Sequence, residues 1–130
     1  MGRNRIIAGV SLVFVLGSAY SAVACGASEV CSDVSSSLAG QITIDLVTLT
    51  WSTDSENSSV TSYVIRRYNC GDPATCSTYV GTVTASGTCN VTQPYTFNNT
   101  PPAPVSQWTY TVEVWKSDGS RACAGDVVPQ

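Results

Sequence analysis

Three segments of this chain repeat apolar residues at every second position. Val47, Leu49 and Trp51 form the first, Tyr63 and Ile65 anchor the second, and Trp108, Tyr110, Val112 and Val114 form the third. Successive side chains of a β-strand point to opposite faces, so these runs read as strands with one face in a core. A helix cannot bury such a pattern, because its apolar stripe recurs every three to four positions. No helical period and no internal repeat is expected beyond the first two dozen residues.

Those first residues have a different character. Arg3 and Arg5 precede an almost wholly apolar stretch at 6–16, and small residues follow, ending in Ala22, Val23 and Ala24. This order is that of a secretory signal at 1–24, with cleavage expected after Ala24. The apolar stretch is shorter than the about 20 residues of a membrane span, and an uncleaved anchor is the alternative. Removing it leaves four basic residues against nine acidic ones. That balance argues against a nucleic-acid partner and against attraction to anionic membranes. All six cysteines lie at or after Cys25. An even cysteine count in a small exported chain reads as a disulfide framework. The chain has no histidine and no Cys-x-x-Cys spacing, so zinc is not expected, and neither is any cofactor.

Residues 25–37 are polar and serine-rich, and are expected to form an extended tail. Ile42 and Ile44 alternate, then Val47, Leu49 and Trp51 alternate in a shifted phase, which predicts a turn or bulge near Asp45 and Leu46. Residues 53–61 form a polar loop, and Gly71, Asp72 and Pro73 mark a turn. Further strands are expected at 77–84, 95–97, 107–116 and 121–128, with Pro101, Pro102 and Pro104 in a surface connection. About seven short strands at this spacing predict an all-β, antiparallel β-sandwich over 38–130.

The phase and order of several residues resemble those of fibronectin type III domains. Val47 to Trp51 is similar to the B strand, Tyr63 with Ile65 to the C strand, and Tyr110, Val112 and Val114 followed by Gly119 to the F strand and F–G turn. The Trp51 to Glu56 run leading into Arg67 is similar to such modules in bacterial surface proteins. The resemblance covers roughly residues 36–130. It implies a seven-stranded sandwich of the fibronectin type III or immunoglobulin-like class, a scaffold without chemistry of its own. It also implies that the Tyr110 hydroxyl bonds backbone near the preceding connection. Pro104 departs from the family, which often has an apolar residue there, and six cysteines are unusual for it. No Arg-Gly-Asp stands in the F–G turn, so integrin-style adhesion is not implied.

On that fold Cys70 and Cys76 flank the turn at one pole and pair with each other. Cys25, Cys31, Cys89 and Cys123 fall at the opposite pole. The resemblance favours Cys31–Cys123 with Cys25–Cys89. The rival set, Cys25–Cys31 with Cys89–Cys123, must reach between sheet edges, beyond the usual ~7 Å between Cα atoms.

Without histidine the commonest base for a nucleophile is missing, and no catalytic residue is expected. Asp54 and Glu56 are a close carboxylate pair, read as a solvated loop. A weak calcium site joining them to Asp118 is the competing reading, and no metal ligand is expected. The candidate binding face is the outward side of the central strands: Val64, Arg66, Tyr68, Thr111, Glu113 and Trp115. A Trp beside a Tyr there stacks on a sugar or anchors a protein. The alternative is a ladder that only covers the sheet, with Arg66 opposite Glu113. Trp51, Tyr63 and Trp108 are in core phase. Asn57, Asn90 and Asn98 stand in glycosylation sequons, expected on surface loops.

The expected function is a non-catalytic, secreted or cell-surface module with a structural, adhesive or protein-binding role, its partner a protein or glycan. One alternative is a lipoprotein anchored through Cys25, the only case with membrane contact. The other is a self-assembling filament subunit whose 25–37 tail adds a strand to its neighbour.

Overall fold

The computed structural model describes residues 24–130, so the expected secretory segment lies outside the described residues except for Ala24. Helix α1 (Ala27–Ser37) leads into strand β1 (Ala39–Thr43). Then come β2 (Leu46–Thr53), β3 (Val60–Tyr68), the short helix α2 (Pro73–Cys76), β4 (Thr78–Thr84) and β5 (Gln93–Asn99). A 3-10 turn (Val105–Gln107), β6 (Thr109–Lys116) and β7 (Arg121–Val127) complete the chain. The strands make two antiparallel sheets, ordered β1-β2-β5 and β4-β3-β6-β7. Among the described residues no helix is long and apolar enough to cross a membrane.

The shifted phase at the start of the chain is a two-residue hairpin turn. Thr43 faces Leu46, which leaves Ile44 and Asp45 as the turn. Ile44 does not continue the strand alternation. It sits at φ 61° with 89% of its surface exposed. A β-branched residue is strained there, in the region glycine prefers.

Both sheets contribute to one core. Val47, Leu49 and Trp51 of β2 face Tyr63 and Ile65 of β3 and Tyr110, Val112 and Val114 of β6, and all are buried. The Trp51 ring meets Tyr63 edge-on at 5.4 Å and stacks on Tyr95 at 5.5 Å, joining the sheets. Each such side chain contributes about 1.5–3 kcal/mol by leaving water. At the sheet edge Gly81 of β4 admits the Phe97 ring, since a Cβ there would lie 2.6 Å from it.

Residues 25–37 are not an extended tail. Val30 and Val34 are fully buried, and Ala27, Cys31 and Leu38 pack against the same core. This is a helical stripe at three- and four-residue intervals, masked in the sequence by the surrounding serines. The helix takes the place of missing strand at the edge of β2. Pairing between β1 and β2 reaches only to Thr50. Beyond it, Ser37 Oγ accepts from Ser52 N–H at 3.0 Å, and the Asp33 carboxylate accepts from Asp54 N–H at 3.1 Å. Backbone groups that β1 leaves unpaired are thereby satisfied. Along β1 itself, Ile42 N–H donates to the Gln130 carbonyl at 2.8 Å, so the C-terminus covers that edge.

The disulfides are Cys25–Cys89, Cys31–Cys123 and Cys70–Cys76, with Cα separations of 5.7, 6.1 and 6.4 Å. The first two tie α1 to the loop before β5 and to β7. The 25–37 segment is thus docked on its own domain, and the Cys25 sulfur is bonded to Cys89. Three disulfides fit an oxidising, extracellular environment.

At the far end of the core, the Tyr110 hydroxyl bonds a side chain rather than backbone. It donates to Asn99 Oδ1 at 2.5 Å, and Arg67 donates to the same oxygen at 2.9 Å. The Arg67 guanidinium lies 5.2 Å over the Trp108 ring, whose N–H donates to the Pro102 carbonyl at 2.7 Å. Trp108 is half-buried and packs against the core at this end, in the phase expected of it.

Candidate functional site

The outward face of the four-stranded sheet carries a charged cluster whose geometry follows from the strand register. On β3 and β6, Val64 pairs with Glu113 and Arg66 with Thr111. Arg66 is therefore not opposite Glu113. It crosses diagonally, and its Nε lies 3.3 Å from Glu113 Oε2. A side chain of that length spans the diagonal between neighbouring strands.

β7 supplies a second arginine. Its pairing with β6 shifts between Val114 and Trp115, so that Trp115 faces Arg121 while Glu113 faces Ala124 and Thr111 faces Asp126. The extra residue brings Arg121 onto the same side as Ala124 and Asp126. Arg121 NH1 donates to Glu113 Oε2 at 3.0 Å, and the Trp115 indole N–H donates to Oε1 at 3.0 Å. Glu113 is only 4% exposed. A carboxylate so buried needs partners, and here it has two guanidiniums and an indole. Two positive groups on one carboxylate leave an excess charge of one. Asp126 lies beyond them, accepting from Thr111 Oγ1 at 2.8 Å and Tyr68 OH at 3.1 Å.

The loop closed by Cys70–Cys76 walls this face. Asp72 caps α2 by accepting from Ala74 N–H at 3.0 Å, and Pro73 stands in the first turn. Pro73 and Ala74 then line an open cavity of about 660 Å³ together with Arg66, Glu113, Trp115 and Arg121. That volume falls within the range of small-ligand pockets. Of the expected face, Arg66, Thr111, Glu113 and Trp115 line the cavity, while Val64 and Tyr68 share the face without lining it. Arg121, Asp126 and the α2 wall were not expected. Simple alternation along β7 separates Arg121 from Asp126, and only the register shift unites them.

Glu56 departs most from expectation. It is not in solvent but 1% exposed. Its Oε2 accepts from Thr53 Oγ1 at 2.9 Å and from the Tyr63 and Tyr95 hydroxyls at 2.5 Å each, and its Oε1 accepts from Gly87 N–H at 2.7 Å. Burial first, and then the Glu56 acceptor, push both phenols above their ordinary range. Gly87 is required by contact, since a Cβ would lie 2.9 Å from Oε1. One signal could have found this cage: Tyr63 is in core phase, and its hydroxyl needs a buried acceptor. The cage is closed to solvent and ties the loop after β2 to β3, β5 and the loop before β5.

Asp54 and Asp118 do not join Glu56. Asp118 accepts from Ser120 N–H at 3.0 Å and Oγ at 2.6 Å in the β6–β7 turn, and these bonds hold its carboxyl below the usual range. Among the described residues no three His, Cys, Asp or Glu side chains group to hold a metal ion. Asn57, Asn90 and Asn98 are all exposed, but Asn98 lies in β5 rather than a loop. The Asn57 side chain donates to the Cys25 carbonyl at 3.1 Å and accepts from Ser59 N–H at 2.9 Å.

No family model matches the chain, and no curated protein matches it. Among solved structures it is similar to a pectate lyase from Pectobacterium carotovorum, at 20% identity and a TM-score of 0.47, over 72% of this chain and 26% of that one. The chain thus spans about a quarter of the length of that enzyme.

Proposed function

We propose that this chain is an exported, non-catalytic module with a fibronectin type III-like fold that binds a partner through the outer face of its four-stranded sheet. The strand order, with β1-β2-β5 against β4-β3-β6-β7, supports that fold. The disulfides support export. One observation carries the binding role: the walled groove in which a buried carboxylate holds two arginines and an indole in place. Such prearranged groups reduce the ordering cost of binding.

The reading as a lipoprotein needs the Cys25 sulfur that Cys89 occupies, and the filament reading needs a strand where α1 stands. The test is retention of the secreted protein on extracellular material of its host. Replacing Arg66 and Arg121 together by alanine should abolish retention while the far-UV spectrum and the disulfide mass stay unchanged. Undiminished retention of that folded variant would refute the groove as the binding surface.

A further inference from the structure

Resting on the groove as the binding surface, we infer that its ligand is a sugar ring bearing a carboxylate, as in an acidic oligosaccharide. Three features of the site combine to give this chemistry. The first is donor supply. Arg66 uses Nε and Arg121 uses NH1 on Glu113. The remaining guanidinium nitrogens have no partner among the described residues, yet both groups are held in position by a buried carboxylate. A fork so placed suits a planar carboxylate.

The second is charge. The Arg66–Glu113–Arg121 cluster carries one net positive charge at the arginine end, while the exposed Asp126 brings the cavity lining as a whole to zero. A single carboxylate is matched by the cluster, whereas a dianionic phosphate exceeds it and meets Asp126. Asp126, Thr111 and Ser77 also line the cavity, as partners for sugar hydroxyls.

The third is the platform. Trp115 is half-buried in the cavity lining, and its N–H is committed to Glu113, which fixes the ring. An indole so held presents a flat apolar surface to the apolar face of a pyranose. The cavity of about 660 Å³ takes one or two such rings. A protein partner wants a broader patch, about 800 Å² from each side.

The secreted protein, disulfides intact, is titrated with five probes while tryptophan fluorescence and heat are followed. Four of the titrants are sugars, namely a hexuronate trisaccharide, a sialylated trisaccharide and the carboxyl-reduced form of each, and inorganic phosphate is titrated as a control. Saturable binding of at least one carboxylate sugar, lost on reduction of its carboxyl, is expected, and the two arms identify which acid is preferred. Arg121→Ala should weaken it about tenfold or more, as loss of a charged hydrogen bond predicts. Arg121→Lys, which keeps charge without the fork, should weaken it too, and Trp115→Ala should abolish the fluorescence change. Equal binding of acidic and reduced sugars overturns the inference, as does phosphate binding as tightly as the sugars. If no sugar binds while the double arginine variant still loses retention on host material, the ligand class falls and the binding face stands. If neither assay responds, both fall.

Discussion

Replacing Glu56 by alanine removes the acceptor of four donors at once. Thr53, Tyr63 and Tyr95 would lose the partner of a hydroxyl, and Gly87 the partner of an amide. A buried donor left unpaired costs about 1–3 kcal/mol. The full sum overstates the loss, because hydroxyls re-pair among themselves, and Tyr95 OH already accepts from Ser86 N–H at 2.9 Å. A destabilisation of about 4 kcal/mol is expected. Domains of this size have roughly 5–15 kcal/mol in total, so the variant should be close to unfolding. Glu56→Gln fills the same space but puts an amide donor among hydroxyl donors, and should cost only about 1–2 kcal/mol. The assay is equilibrium urea unfolding with disulfides oxidised, read by tryptophan fluorescence. Combining Glu56→Ala with Tyr63→Phe should cost clearly less than the two losses added, since both remove one bond. A Glu56→Ala variant within about 1 kcal/mol of the parent would show that the cage is not a structural tie.

Alkaline pH should destabilise the fold. Tyr63, Tyr95 and Tyr110 are all raised above the ordinary value of 10.0, burial being the first cause in each. Their contribution is whole below pH 10 and is lost as pH rises further, because the unfolded tyrosines ionise before the folded ones. Unfolding free energies from urea titrations should be flat to about pH 9 and should fall above pH 10 by up to about 1.4 kcal/mol per pH unit for each such tyrosine, less steeply in Tyr63→Phe. Gly87→Ala drives a Cβ to 2.9 Å from Glu56 Oε1 and 3.0 Å from Gln93 Cβ, and should cost about 1–3 kcal/mol by thermal unfolding. Ile44→Gly relieves the strained turn and should stabilise by about 1 kcal/mol, visible as a raised melting temperature. The Cys70→Ser, Cys76→Ser pair should cost about 2 kcal/mol, whereas removing Cys31–Cys123, which closes a span of 92 residues, should cost about 4 kcal/mol.

What the sequence by itself determined was everything that depends on local period and composition. Val47, Leu49, Trp51, Tyr63, Ile65, Val112 and Val114 had to share a core, because alternation leaves them no other face. The phase slip near Asp45 and Leu46 required a turn or bulge, and Arg66, Glu113 and Trp115 had to share the opposite face of the sheet. The helix at 27–37 was also written in the spacing of Val30, Cys31 and Val34, though serines obscured it. Tertiary structure alone decided what those residues meet. Glu56 looks like solvent-facing loop until Tyr63 and Tyr95, distant in sequence, bring their hydroxyls to it. Arg121 becomes part of the groove because a register shift turns it toward Glu113, and Pro73 and Ala74 become its wall because a disulfide folds their loop back over the sheet. Period depends on neighbours along the chain. Burial of a charge and the shape of a groove depend on the register between strands, which no single segment encodes.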